Sequence, residues 1–301
     1  MPAFSLAACS LFAGDRVSAQ EASKLLSTSI AILKMEGYSF PKKLSYALRS
    51  ESKYSASSES SSSERSLSSE SKIELDLENE CFSCSEVETE ITSSSYRRYS
   101  NVYLWRSGET YYYASYSRET QNGQTQSGEE PEQSCREIDE YVFSNYLNGF
   151  LNEKIPLAEQ SAVISYYEGI LSSTAYFPEE ESSSSSASSS SKSSSSSKAS
   201  PISEGERIGR RYQSTGTGNL IISYAYEKSQ TNSSTKSSSV SGRGWKLSVD
   251  DNLPIRIEST SYSKSATETT NSASEQSNVY EYHWGVCSFQ APGIGQSQSE
   301  E

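Results

Sequence analysis

One histidine in 301 residues removes most of the machinery of nucleophilic hydrolysis, because a serine nucleophile needs a positioned base to take its proton. That residue, His283, lies in Tyr280-Glu281-Tyr282-His283-Trp284 and is expected on the face opposite Tyr282 and Trp284, toward solvent. Positive charge is also short: 26 Lys and Arg against 39 Asp and Glu leave a formal charge of −13. Such a surface repels phosphate backbones, so nucleic acid is excluded as a partner. Apolar runs of 18 or more are missing, and with them any transmembrane helix. The pair Cys81-x-x-Cys84 has no second pair to complete a zinc site. There is no Walker lysine loop, no Gly-x-Ser-x-Gly and no strand-to-helix Gly-x-Gly-x-x-Gly, so no cofactor is expected. Carboxylates abound, but nothing in the sequence selects a pair, and a secreted carboxylate-dependent hydrolase stands only as an alternative.

What the chain does have is serine, 73 of its residues, together with 21 tyrosines and an aromatic content of 11%. A chain with that much aromatic surface is not disordered throughout. Met1 to Gly14 are small and apolar before Asp15-Arg16 opens a polar chain, as at the end of a signal peptide, although no basic residue precedes Arg16. Val17-Ser18-Ala19 is a small-x-small cleavage pattern that would release a secreted protein. An apolar helix start in a cytoplasmic protein is the plain alternative. If Cys9 is modified, then Cys81, Cys84, Cys135 and Cys287 are an even set of disulfide candidates with three pairings open.

Hydrophobic periodicity places the elements. Ala22, Leu25, Leu26, Ile30, Leu33 and Met35 follow a helical period over 19–37, with Gly37 as the stop. After Pro41 the period falls to two: Leu44, Tyr46 and Leu48 share one face, then Ile73, Leu75 and Leu77 alternate with Glu74, Asp76 and Glu78. Val87, Thr89 and Ile91 continue the ribbon beyond the cysteines. Residues 101–117 form a hairpin turning at Ser107-Gly108, pairing Leu104 with Tyr111 and Tyr103 with Tyr112. Both of its faces are apolar, which puts it in the middle of the sheet. A polar loop over 119–134 and helices near 138–149 and 156–175 follow. Four more strands are expected around Leu220–Tyr226, Trp245–Val249, Ile255–Ile257 and Tyr280–Val286. Asp250 to Pro254 turn between the middle two, so that Lys246 and Ser248 face the same side as Arg256 and Glu258.

The expected class is α+β: a long curved antiparallel sheet of about eight strands with helices packed on one face, like a half-barrel. Its parts are a truncated signal or lipobox-like segment at 1–18, a single domain at 19–288 with a flexible serine-rich insertion at 179–200, and a disordered tail at 289–301.

Two stretches carry a family resemblance. Leu6-Ala7-Ala8-Cys9 resembles the bacterial lipobox, whose cysteine receives a diacylglycerol. The run from Trp245 to Glu258, a strand, a turn ending in Leu253-Pro254 and a return strand, is similar to the unclosed-barrel carriers of the LolA/LppX type. The resemblance implies a lipoprotein on the outer face of a bacterial membrane, held through Cys9, with an apolar or lipid ligand between sheet and helices. Tyr103, Trp105, Tyr111, Tyr112, Tyr113, Trp245, Tyr282 and Trp284 are the residues expected to line that pocket, since aromatic rings supply apolar walls and their polar edges fix a ligand. The reading is therefore a non-enzymatic carrier or binder. Its rival is a structural or adhesive surface protein with a solid core and serine-rich spacers. No protein partner is implied.

Overall fold

Strands of up to sixteen residues dominate the computed structural model, which describes residues 14–125, 132–178 and 202–292. The chain opens with the short β1 (Asp15–Arg16) and α1 (Ala19–Leu33). A first meander follows: β2 (Lys43–Ser58), β3 (Ser62–Asp76), β4 (Cys81–Ile91), β5 (Ser95–Ser107) and β6 (Thr110–Gln121). Both β7 (Gln124–Thr125) and β8 (Glu132–Ile138) then pair with β6. After α2 (Glu140–Lys154) and α3 (Gln160–Leu171) comes a second meander of β9 (Ile202–Gly216), β10 (Asn219–Asn232), β11 (Ser237–Asp250), β12 (Leu253–Ala266) and β13 (Thr270–Trp284).

The two meanders become one antiparallel sheet because β13 pairs with β2, placing Trp284 opposite Leu44 and Tyr282 opposite Tyr46. The strand order is β1-β9-β10-β11-β12-β13-β2-β3-β4-β5-β6, with β7 and β8 beyond β6. The two edges do not meet, so this is an α+β half-barrel: a curved, unclosed sheet with helices on one face.

Local chemistry explains the helices. Ser18 caps α1 by accepting the Glu21 N–H at 3.1 Å, and Asp139 caps α2 by accepting the Val142 N–H at 2.8 Å. Ala22, Leu26, Ile30 and Leu33 recur on one side of α1 and are buried. They meet Val163, Tyr167 and Ile170 of α3 and the sheet residues Leu220, Ile222 and Leu247 in a single core. Sheet and helices are tied by the β11–β12 turn, where Asp251 and Asn252 both have positive φ, as a two-residue type I′ hairpin turn requires. The buried Asn252 donates its N–H to Gly218 O, accepts the Ser29 hydroxyl of α1 on Oδ1, and accepts the Tyr167 hydroxyl of α3 on its carbonyl.

Several expectations need correction. Eleven strands of seven residues or more are present among the described residues, where about eight were expected. The unforeseen β9 carries Glu204, Arg207 and Arg210 and no run of apolar residues, so periodicity passes over it. The helix α1 ends at Leu33, and Gly37, at φ 82°, serves the turn after it. The helices after the first meander run over Glu140–Lys154 and Gln160–Leu171, and Tyr141 is exposed. Leu77 is exposed just past β3, whereas Asp76 is buried and accepts the N–H groups of Glu78 and Asn79. The residues read as a polar loop over 119–134 include the end of β6, β7 and part of β8.

The hairpin of β5 and β6 turns at Gly108-Glu109, with Gly108 at φ 64°, so Leu104 faces Tyr113 and Trp105 faces Tyr112. The expected pairing is displaced by two residues, and an even displacement leaves every side chain on its expected face. The hairpin also lies toward an edge of the sheet rather than at its middle.

Candidate functional site

The register sorts the eight expected pocket aromatics onto both faces of the sheet. Tyr111, Tyr113, Trp245, Tyr282 and Trp284 point to the helix-covered face. Tyr103, Trp105 and Tyr112 point away from it and form a small separate cluster with Cys81, Ala114 and Phe289. They therefore do not converge on one cavity.

On the covered face the rings pack against other rings. Tyr111 meets Phe143 of α2 at 4.8 Å between centroids, and Tyr113 meets Tyr146 at 5.3 Å. Phe82 stacks on Phe150 at 5.0 Å, and Trp245 sits 4.4 Å from Tyr176. Tyr282 stacks on Trp284 at 5.8 Å and tilts against Tyr46 at 5.0 Å. At these contacts large rings fill the space between sheet and helices, in the manner of ordinary protein interiors. One local exception is polar: the hydroxyls of Tyr46 and Tyr282, each residue 1% exposed, have no hydrogen-bond partner. Burial pushes both phenols well above their ordinary range, as it does Tyr166 and Tyr167.

The covered half occupies only one end of the strands. Continuing along the same face, the register places Ser259, Ser261, Ser263 and Ser265 on β12 beside Asn278, Gln276, Ser274 and Ser272 on β13. Ser50 and Ser52 continue this row on β2. These positions have the spacing of Ile257, Tyr280 and Leu48 but hydroxyls and amides where the other half has hydrocarbon. The helices do not extend their apolar cover to them. At the hairpin tips of β2, β3, β11, β12 and β13, a trough of about 430 Å³ is lined by residues of both parities. Eight of its fifteen lining residues are serines, with Lys264 and Glu64 at its sides, so it suits polar contacts and offers little to an acyl chain.

The remaining candidates fall elsewhere. His283 is exposed on β13 opposite Ser45, as expected. Among carboxylates, Asp76 is of interest because burial works to raise its pKa, yet hydrogen bonds from Asn79, Lys43 and Glu78 outweigh this and hold it below the usual range. That is the direction opposite to the one a general acid requires. Among the described residues no group of three or more His, Cys, Asp or Glu is arranged to hold a metal ion. The expected lipidation site Cys9, the serine-rich insertion at 179–200 and the end of the tail lie outside the described residues. The tail's first residues do make contacts, since Phe289 belongs to the cluster over Trp105.

The four downstream cysteines are free thiols. Cys84 is buried on the covered face, and Cys135 is exposed on β8. Cys81 is buried on the opposite face beneath Phe289, and Cys287, two residues before Phe289, is half-buried. Desolvation, with the neighbouring Cys287 and Asp76, pushes Cys81 up to about 12, and burial pushes Cys84 up to about 12. Sequence reasoning missed the serine trough and the Tyr46–Tyr282 pair. The trough depends on strands folding far beyond the helices, and the pair on β13 returning to β2, neither of which a local pattern encodes.

No protein-family model matches the sequence, and no curated protein matches it significantly. Comparison of shapes finds solved structures that match loosely. A beta-barrel-like protein of a domain of unknown function from Brucella abortus shares 6% identity over 82% of this chain and 99% of its own, with a TM-score of 0.25. Neisserial surface protein A shares 7% identity over 79% and 96%, with a TM-score of 0.17. Ail, the attachment invasion locus protein of Yersinia pestis, shares 5% identity over 80% and 99%, with a TM-score of 0.16. Superpositions this loose carry no argument about fold or function.

Proposed function

We propose that this chain is a non-enzymatic protein of the bacterial cell envelope, tethered through a lipid on Cys9, that acts as a structural or adhesive surface module. Its helix-covered half is the solid body, and the uncovered serine-lined half of the sheet is the contact surface. The observation that carries this reading is the division of one continuous sheet face into a ring-packed apolar end and an end lined by the hydroxyls and amides of β12, β13 and β2. The anchor reading has further support: β1 pairs with β9, and Ser18 caps α1. Cleavage after Ala19 would remove both, whereas processing at Cys9 keeps both.

A second reading, a carrier of an apolar ligand, is favoured by the Tyr46 and Tyr282 hydroxyls, which are the polar groups an intruding amphiphile would meet. It requires the helices to move off the sheet.

The test is expression with native upstream codons in a bacterial host, followed by intact mass of the membrane fraction and protease shaving of whole cells. A diacylated chain beginning at Cys9, lost in Cys9→Ala and shaved from intact cells, is the expected result. A soluble chain beginning at Gln20, or a cytoplasmic protein resistant to shaving, overturns the proposal.

A further inference from the structure

The segment after β13 is held as a strap across the uncovered face of β3 and β4. Gly285 turns the chain with φ 76° and donates its N–H to Lys43 O at 2.8 Å. Ser288 then donates its N–H to a carboxylate oxygen of Glu74 at 2.7 Å, and Phe289 packs against Cys81, Trp105 and Ala114. Between these fixed points lies Cys287, held by its neighbours over the part of the sheet where Cys81 is buried beneath Phe289. Three attachments, two hydrogen bonds from backbone N–H groups and one ring contact, thus hold Cys287 beside Cys81.

The same geometry disposes of the other pairings. Cys81 and Cys84 are three residues apart in β4 and point to opposite faces, about 10 Å apart along the strand, beyond the reach of a disulfide. Cys135 lies opposite Ala114 on β6, which lies opposite Tyr103 on β5, while Cys81 lies opposite Trp105. Three strand spacings, about 14 Å, therefore separate Cys135 from Cys81. Cys84 is on the helix-covered face, away from the strap.

We infer that Cys81 and Cys287 are a disulfide-forming pair that locks the C-terminal strap over the Trp105–Tyr112 cluster, leaving Cys84 and Cys135 joined to no other protein cysteine. The oxidant is a small-molecule disulfide. The thiolate of Cys287, the more accessible of the two, attacks one sulfur of the oxidant and releases the first thiol. Cys81 then loses its proton to solvent and attacks the Cys287 sulfur, releasing the second thiol. Two protein thiols are oxidised to one disulfide, and one oxidant disulfide is reduced to two thiols. Bond formation closes a loop of most of the chain and restricts the unfolded state accordingly. It also suits the oxidising surroundings of an envelope protein.

The experiment is oxidation of the full chain with excess oxidised glutathione, alkylation of the remaining thiols, and mass mapping of peptides without reduction. Chymotryptic cleavage after Phe82 separates Cys81 from Cys84. The expected product is a Cys81–Cys287 linked peptide, with the buried Cys84 alkylated and the exposed Cys135 carrying glutathione or the alkyl group, neither joined to another protein cysteine. The link vanishes in Cys287→Ser and persists in Cys84→Ser. The unfolding midpoint of the oxidised chain is expected to exceed that of the reduced chain by more than about 5 °C, a difference abolished in Cys287→Ser. Alkylation of both Cys81 and Cys287 after prolonged oxidation, or a link joining either one to Cys84 or Cys135, overturns the inference.

Discussion

Removing the hydroxyl of Tyr46 or Tyr282 should stabilise the protein. Each phenol is 1% exposed and its oxygen has no partner. A buried group left without a hydrogen bond costs about 1–3 kcal/mol of desolvation that nothing returns. Phenylalanine keeps the ring, and so keeps the Tyr46–Tyr282 contact at 5.0 Å and the stacking of residue 282 on Trp284 at 5.8 Å. The expected gain is about 1 kcal/mol for either Tyr46→Phe or Tyr282→Phe, or about 2–4 °C in midpoint for a chain of this size. The two rings touch, so the double variant need not be additive. Tyr167→Phe is the matched control: its hydroxyl donates to Asn252 O at 3.2 Å, and losing that bond should cost about 1–2 kcal/mol. Urea unfolding followed by tryptophan fluorescence measures all four proteins. If Tyr46→Phe and Tyr282→Phe each destabilise as much as Tyr167→Phe, the two hydroxyls have partners in solution and the solid-core argument fails.

Four other outcomes follow from the same structure. Stability should fall as pH rises: tyrosines 46, 167 and 282, raised from 10.0, stay protonated in the fold while the unfolded chain ionises. The loss begins near pH 9 through Cys81 and Cys84, both pushed up to about 12 from 9.0, and steepens above pH 10. Its slope is up to about 1.4 kcal/mol per pH unit for each such group, read from urea midpoints across that range. Asn252→Ala should cost about 2–3 kcal/mol, because Ala at φ 65° is strained and the Ser29 hydroxyl loses its shorter hydrogen bond, keeping only Leu25 O at 3.3 Å; Asn252→Gly should recover the strain portion alone. Gly242→Ala should destabilise by about 1–3 kcal/mol in thermal unfolding, since a Cβ there would stand 2.5 Å from the Tyr262 ring, whose hydroxyl donates to Glu227 at 2.5 Å. Leu26→Ala, at a fully buried position facing α3, should cost about 2–5 kcal/mol, whereas Leu77→Ala at an exposed position should cost under about 0.5 kcal/mol.

Legibility in the sequence tracked the strength of the local pattern. Leu44-Ser45-Tyr46 and Trp245-Lys246-Leu247 alternate cleanly, so their faces were readable, and the register bears out Lys246 opposite Glu258 and Ser248 opposite Arg256. The α+β half-barrel followed from strands grouped on either side of two helices. Strand β9 was hidden because its residues include Glu206, Arg207, Arg210 and Arg211, and it is held by backbone pairing with β10 rather than by an apolar stripe. The serine-rich halves of β12 and β13 were hidden for the same reason: once neighbouring strands pair, the ladder continues past the hydrophobic segment that nucleated it. Parity divided the hairpin's aromatics between two faces, yet grouping all eight aromatics as one pocket set aside that a sheet has two faces. Both Tyr103 and Tyr111 are aromatic residues of a single hairpin, and they point in opposite directions.

The account turns on whether the helix-covered half is solid. Titration of the purified, delipidated chain with a fluorescent acyl probe, beside native mass spectrometry of the chain as isolated, tests this most directly. The account predicts no saturable probe binding and no co-purifying lipid, in the native chain as in Tyr46→Phe. A stoichiometric acyl ligand whose binding is weakened by Tyr46→Phe or Tyr282→Phe would contradict it and establish the carrier.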